Sequence, residues 1–365
     1  MRVLFFGTYD ADRHPHVRVL MEGFRDLGDE VIECNEPLGL STRERVGILR
    51  RPWRAPLLAA RVLSRWTRLR RRARAMAVPD VVVVGYLGHF DVHLARRLWP
   101  RTPLVLDHMI FARDTALDRG VRFGPVVWLL GLIDGAALRA ADLIAVDTDE
   151  HAAMVPPALR SRVVVAAIGA TARWFRDPTA GAGEPLSAIF YGSFAPLQGG
   201  PVIGEAIARC AELCPSVRFT IVGHGQDLAA TRARTAANRS VVWRDWIDPA
   251  ELPAAVAAHD VCLGIFGTSP KASRVVPHKV FEGAAAGCAI VTADTPPARR
   301  ALGDAAVFVP PGDARALAEA IERLAADPAA VRDLRRAAFA RATEAFAGAA
   351  VVAGLRERLS REAAR

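Results

Sequence analysis

Short apolar runs, each closed by a glycine, constrain this chain more than any other feature. Residues 2–6 (RVLFF) stop at Gly7, the four valines of 81–84 at Gly85, 188–191 at Gly192 and 218–222 at Gly223. Runs this short and continuous suit strands buried on both faces, as in a parallel sheet. Helix-spaced segments lie between them. Val17, Leu20, Met21, Phe24 and Leu27 share one face of a helix over 17–27, which Gly28 and Asp29 end. The same reading places strands at 30–34, 104–106, 143–146, 163–166, 241–243, 261–265, 289–292 and 306–309. It places helices at 202–214, 249–257, 279–286, 314–325 and from 329 to about 346, with one more ending near Ala140. Strand–helix alternation of this kind makes an α/β protein.

The alternation breaks once, at 177–185 (DPTAGAGEP), a polar Gly/Pro-rich stretch that reads as a linker. With 365 residues, 52% of them apolar, the chain exceeds one comfortable core. The expected organisation is a first Rossmann-like domain over 1–176, a second over 186–345, and a C-terminal helix over 346–365 that packs back on the first. In open α/β sheets ligands sit beyond the C-terminal strand ends, so two such sheets facing each other would leave a cleft for two substrates. The start, MRVLFFG, lacks the long apolar core of a signal peptide, and the most apolar stretch, 124–133, is too short to span a bilayer. The expectation is a cytoplasmic protein. Its five scattered cysteines read as reduced thiols, and no spacing suggests a metal site or a bound cofactor.

Cations are distributed unevenly. Residues 43–74 hold twelve Arg against one Glu, more positive charge than the whole chain's net +9. The chain has only two lysines, Lys271 and Lys279, and both fall in GTSPKASRVVPHKVFEGAAAG over 267–287. This loop follows an expected strand and carries Ser269, Lys271, Ser273 and Arg274 ahead of a helix that opens at Pro277-His278-Lys279. Free N–H groups and the positive dipole end of that helix, with hydroxyls and cations beside them, suit a diphosphate. Glu282, in the first helical turn, suits a ribose diol. A solvated basic loop beside an ordinary helix charge would read the same.

The second half resembles the donor domain of GT-B glycosyltransferases, especially the retaining family 4 type. The matching pieces come in order: FYGSFAPLQG at 190–199, IVGHG at 221–225, VWRDW at 242–246, Glu251-Leu252, His259-Asp260-Val261, and PHKVFE at 277–282 with AAG at 285–287. AADLIAV at 140–146 fits in the first half. The resemblance implies two Rossmann-like domains and transfer of a hexosyl-like group from a UDP- or GDP-type nucleotide sugar to a hydroxyl acceptor, lipid-linked or small-molecule, with retention and without an essential metal. It makes Glu282 the ribose ligand, Gly192 the glycine beside the donor phosphates, and the backbone of Trp243 to Ile247, with Trp246 in it, the nucleobase contact. Gly223 lies at a neighbouring strand end. The chain departs from the pattern in three places. The first glutamate of the family's pair falls at Arg274, and the phosphate-loop Arg and Lys fall at Ser193 and Gln198. Lys271, Arg274 and Lys279 are then the cations left to take over that role.

In the first half the resemblance implies a histidine supporting the donor sugar at a strand end. His108, after the strand at 104–106, fits, with Asp107 as the one-residue alternative. Tyr9, His14 and His16 follow the first strand, with Asp10, Asp12 and Arg13 among them; Tyr86 and His89 follow the third. These are the expected acceptor contacts, and a plain solvated connection is the competing reading. Asp147-Thr-Asp149 reads as a helix cap rather than a metal motif.

The arginine-rich stretch has helical spacing over 57–74, with Leu58, Val62, Trp66, Leu69 and Ala73 on one face. Three readings stay open: contact with an anionic membrane surface through 50–74, a surface helix with solvated charges, and nonspecific attraction to nucleic acid. No recognition helix or interleaved aromatics support specific nucleic-acid binding. Two other functions share the fold: a nucleotide-sugar epimerase, and an inactive nucleotide-sugar-binding partner of another transferase.

Overall fold

The computed structural model describes residues 1–11, 14–39, 55–178, 185–236 and 238–363. The chain forms two compact units, Met1–Ala167 with Gly348–Arg365, and Ile168–Ala347.

The first unit runs β1 (Arg2–Gly7), α1 (His16–Asp26), β2 (Glu30–Asn35), α2 (Ala55–Arg74), β3 (Val81–Val84), α3 (Asp91–Leu98), β4 (Leu104–Asp107), α4 (Ala112–Asp118), α5 (Gly124–Ala140), β5 (Leu143–Val146), α6 (Asp149–Met154) and β6 (Val163–Val165). Its strands pair in the order β2-β1-β3-β4-β5-β6, all parallel. The second unit runs β7 (Ser187–Gly192), α7 (Gly200–Leu213), β8 (Arg218–Gly223), α8 (Leu228–Arg234), β9 (Val241–Arg244), α9 (Leu252–Ala257), β10 (Val261–Leu263), α10 (His278–Ala285), β11 (Ala289–Ala293), α11 (Pro296–Leu302), β12 (Ala306–Val309), α12 (Ala314–Ala326) and α13 (Pro328–Ala345). Its parallel order is β12-β11-β10-β7-β8-β9. Helix α14 (Gly348–Ala363) ends the chain. All twelve expected strands form, within two residues of their expected ends. Short helices such as α3, α4, α6, α8 and α11 carry too little periodicity to be read from the sequence.

The two-residue period of a strand divides the first unit's core. Leu4, Phe6, Val82, Val84, Leu104 and Leu106 pack with Leu69 of α2, Val92 of α3 and Leu138 of α5. Val3, Phe5, Val81, Val83 and Val105 pack with Val17, Leu20 and Phe24 of α1 and with Val352, Leu355 and Leu359 of α14. Helices α2, α3 and α5 therefore cover one face of the sheet, α1 and α14 the other. Helices α1 and α14 approach at a glycine pair: a Cβ on Gly23 would lie 2.1 Å from the Gly348 carbonyl oxygen.

The chain leaves the first unit after Ala167, earlier than the expected boundary at 176. Residues 168–176 are bonded into the second unit. Ala170 N–H donates to Phe346 O at 2.8 Å, Arg176 N–H donates to Ala285 O at 3.0 Å, and Trp174 stacks on Tyr191. The crossing point thus precedes the Gly/Pro-rich stretch expected to be the linker, of which 179–184 lie outside the described residues. The return to the first unit falls at 347–348, two residues after the expected 345. By length and composition alone, Pro328–Glu362 is apolar enough to cross a membrane. It is two helices, α13 and α14, interrupted at 346–347 and each packed in a different core.

Candidate functional site

In each sheet the first strand is flanked by strands reached in opposite directions, which leaves a crevice at the C-terminal strand ends. In the second unit this switch point lies between β7 and β10. The loops beyond these strands are joined by their backbones: Phe266 N–H donates to Gln198 O at 3.1 Å and Gly267 N–H to Leu197 O at 3.2 Å. Gly199 makes that approach possible. It is left-handed (φ +67°), and a Cβ there would lie 2.6 Å from Gly267 N.

Six candidate donor residues lie in or beside this crevice. Buried Lys279 donates from Nζ to Gln198 Oε1 at 2.9 Å, and Gln198 Nε2 donates to Ser193 Oγ at 3.3 Å. The ammonium sits 3.7 Å from the Phe190 ring centroid and would be 3.0 Å from a Cβ on Gly192. The lysine of α10 therefore occupies the space beside Gly192, within reach of the two positions where the expected phosphate-loop cations are replaced by Ser193 and Gln198. Gly223 ends the adjacent strand, and a Cβ on it would lie 2.0 Å from Gly192 O. One turn after Lys279, buried Glu282 accepts a 2.9 Å hydrogen bond from Tyr191 Oη, whose ring is stacked on Trp174. Burial pushes the Glu282 carboxyl up to about 7, although the Tyr191 hydrogen bond, Arg173 and Lys279 pull it back. Burial likewise lowers the Lys279 ammonium to about 7, against Cys262 and Glu282. Two buried ionisable groups one helical turn apart, both shifted toward 7, single out this crevice as the candidate site.

The other donor candidates lie further out. Ser269, Lys271 and Arg274 occupy the loop between β10 and α10, where Ser269 Oγ accepts from Ala272 N at 3.3 Å and Lys271 is buried. Trp246 stands 65% exposed beyond the edge strand β9, two strands from β7. Tyr191, Trp174 and Arg173 were not expected at this site. Tyr191 precedes the recognisable Gly192, and the other two come from the segment expected to belong to the first domain.

In the first unit the switch point lies between β1 and β3, and the expected acceptor residues divide into separate groups there. Tyr9 packs against Gly85 and donates its hydroxyl to Glu33 Oε1 at 2.9 Å, so that hydroxyl is engaged within the protein. His14 stacks on Tyr86 at 3.9 Å between ring centroids. His16 Nδ1 lies 3.2 Å from Asp107 Oδ2, joining an expected acceptor residue to an expected catalytic one. His89 Nε2 lies 2.9 Å from Asp134 Oδ1, a carboxylate that also accepts the N–H groups of Ala112 and Arg113. His108 sits 5.0 Å from His89 and 4.6 Å from Phe111 between ring centroids. His151 bonds Asp147 and completes a histidine-rich cluster at the ends of β4 and β5. Its helix cap is Thr148, whose Oγ1 accepts from His151 N at 3.1 Å, rather than either flanking aspartate. Asp12 and Arg13 lie outside the described residues.

Among the described residues, Asp107 Oδ1, His108 Nε2 and His151 Nε2 are buried without hydrogen-bond partners. Within the same set His89, His108 and Asp134 each bring one ligand atom within 4.8 Å of the others. This grouping comes from three separate elements and leaves no spacing motif, which is why no metal-like cluster was visible in the sequence.

The two central histidines shift in opposite directions. Burial, with the nearby His89 and His151, pushes His108 down to about 3. For His16 burial lowers the value, but Asp107 and Asp147 outweigh it and the net shift is upward. A depressed histidine adds stability that is full above its unfolded value near 6.5 and is lost as pH falls toward 3; a raised one adds stability that is full below 6.5 and lost as pH rises through its folded value. Between pH 6 and 4, His108 should therefore cost about 1.4 kcal/mol per pH unit. Tm measured against pH for the wild type and His108→Asn tests this, and equal acid slopes would refute it.

The two units have the two-domain GT-B fold of glycosyltransferases. Residues 185–327, within the unit holding Lys279 and Glu282, match the family model described as glycosyl transferases group 1. Similar structures cover nearly the whole chain. Sucrose-phosphate synthase from Thermosynechococcus elongatus has a TM-score of 0.73 at 15% identity, over 99% of each chain. HepE of Anabaena, solved with UDP-glucose, has a TM-score of 0.68 at 15% identity, over 99% of this chain and 100% of that one. The UDP-forming α,α-trehalose-phosphate synthase from Burkholderia vietnamiensis has a TM-score of 0.64 at 14% identity, over 98% and 96%. No curated protein matches the chain in sequence. The family match supports glycosyl transfer from a nucleotide sugar as the class of chemistry.

Proposed function

We propose that the protein transfers a sugar, with retention, from a UDP- or GDP-type nucleotide sugar to a hydroxyl of a lipid-linked or small-molecule glycan. The observation that carries the reading is the buried Lys279 beside Gly192 and Gln198, one turn before buried Glu282, at the switch point of a group 1 glycosyltransferase domain. Lys279 neutralises the diphosphate, the α10 N-terminus and loop residues Ser269, Lys271 and Arg274 add donors, and Glu282 accepts the ribose hydroxyls. Tyr191 holds that carboxylate in place. The backbone beyond β9, near Trp246, meets the base. Among neighbours, HepE binds UDP and glucose in its solved complexes.

In this reading the bond from sugar C1 to the phosphate oxygen breaks as the acceptor oxygen bonds to C1 on the same face. The acceptor proton passes to the departing phosphate oxygen. The protein's part is to position the substrates and stabilise the leaving diphosphate, a role cations fill without a metal or cofactor. His108, neutral at working pH, supports the donor sugar, and the His16–Asp107 pair orients the acceptor with His14, Tyr86 and His89 around it. The chain acts in the cytoplasm, and its arginine-rich stretch 50–74, of which 50–54 lie outside the described residues, meets the anionic inner face of the membrane.

Thermal shift with UDP, GDP, ADP and dTDP and their common sugars, followed by assay of sugar release, tests the function, since a ligand of the folded state raises its Tm. Stabilisation by one base with slow donor hydrolysis supports a transferase. Stabilisation without hydrolysis or transfer indicates an inactive binding partner, and no stabilisation by any nucleotide refutes the donor site. The pH dependence is specific. Binding needs Glu282 ionised and Lys279 protonated, and both titrate near 7. Affinity for the nucleotide should peak near neutral pH and fall by up to about tenfold per pH unit on either side. Lys279→Arg, which stays charged, should remove the alkaline limb; an unchanged alkaline limb would exclude Lys279 as its source.

A further inference from the structure

Helix α5 turns an apolar stripe away from the core. Trp128, Leu129 and Leu132 are 65%, 52% and 44% exposed, and with Pro125 they recur at helical spacing on one side, while Asp134, Ala137 and Leu138 face inward. Phe123, at the start of the helix, is 63% exposed. A monomeric soluble protein rarely leaves large apolar side chains grouped in this way.

The same face of the sheet carries the arginine helix. Helices α2, α3 and α5 share one core cluster, so their outer sides form one surface. Helix α2 has seven arginines and no acidic residue, and Arg61, Arg70 and Arg71 point to solvent. Its exposed Leu57 and Leu63 lie in its first half. Both helices run from the C-terminal strand ends: just past their midpoints, Trp66 Nε1 donates to Asp91 at the head of α3, and Asp134 bonds His89 beyond β3, so their first halves lie at that end. The apolar groups are thus gathered at the end of the unit that holds the histidine cluster; Arg61 lies in that half of α2, and its other arginines continue along the same helix toward the opposite end.

We propose that α5 and α2 together form the membrane-docking surface, with Phe123, Trp128, Leu129 and Leu132 entering the interfacial layer and the arginines meeting anionic headgroups. This deepens the membrane contact proposed for the arginine stretch. Trp and Phe suit the boundary between headgroups and acyl chains, and a single-sign cationic helix on the same sheet face as an apolar stripe complements an anionic bilayer better than a neutral protein face. The surface would hold the protein with the strand ends of the first unit at the lipid, where a lipid-linked hydroxyl acceptor would enter.

The test is flotation of the intact protein with phosphatidylcholine vesicles, with and without phosphatidylglycerol. The wild type should float with the anionic vesicles and only weakly with the neutral ones. Trp128→Ser combined with Leu132→Ser should lower partitioning about tenfold or more, from the loss of two large apolar groups. Arg70→Glu combined with Arg71→Glu should remove the preference for anionic lipid. Failure of the wild type to float with either vesicle overturns the proposal, as does an unchanged α5 double variant. A wild-type dimer in sedimentation velocity that the α5 variant disperses would also overturn it and make the stripe a self-interface. Nucleotide-induced thermal shifts of both variants should equal the wild type, so a failed membrane reading stays distinct from a failed donor site.

Discussion

Glu282→Ala is expected to weaken binding of the donor nucleotide by about 1.5–3 kcal/mol, roughly ten- to 150-fold in Kd, the range for hydrogen bonds to a charged group. The carboxylate is buried and holds one protein hydrogen bond, from Tyr191, which leaves acceptor capacity for a diol. Glu282→Gln keeps an oxygen for Tyr191 and loses the charge, so its affinity should fall between those of the wild type and Ala. Titration calorimetry with UDP and GDP gives the numbers. The variants should fold well, because a carboxyl held up at about 7 by burial contributes little to the stability of the nucleotide-free protein. Wild-type affinity in both variants would remove Glu282 from the site.

The second large effect falls in the first unit. Gly23→Ala ordinarily improves a helix by about 0.5–1 kcal/mol. Here the added methyl would lie 2.1 Å from the Gly348 carbonyl oxygen and 2.8 Å from Val352. Backbone faces backbone and neither side can rotate away, so α14 must shift off α1. The expected cost is about 2–3 kcal/mol, a fall in Tm of about 5–10 °C. Gly354, in α14 with nothing within 4 Å of its would-be Cβ, is the internal control. Gly354→Ala should raise Tm slightly, by the propensity gain alone. If the two substitutions shift Tm in the same direction, the close approach of α1 and α14 does not hold.

Much of the candidate donor site was legible because its residues are close in the chain and their local settings are characteristic. Gly192 closes a strand, and Lys279 and Glu282 open a helix after a polar loop, each a pattern of neighbours. What could not be read was the partnership between them. Gln198 and Lys279 are 81 positions apart, and only the β7–β10 pairing brings their loops together. The histidine cluster was less legible still. His16, His89, Asp107, His108, Asp134 and His151 come from five elements, and single residues at separate strand ends carry no shared spacing. Tyr9 shows the limit from the other side. Its place after β1 suggested an exposed contact, yet packing on Gly85 turns its hydroxyl to Glu33.

The sequence by itself determined the alternation of strands and helices, the division into two α/β units and the residue types at the candidate donor loops. Hydrophobic period and turn chemistry are local, and each is set within a few residues. Tertiary structure alone decided the strand order, the crossing at Ala167, the return of α14 to the first sheet and the opposite shifts of His16 and His108. Those depend on which distant segments bury one another, and burial and facing charge are properties of the packed chain rather than of any stretch of it.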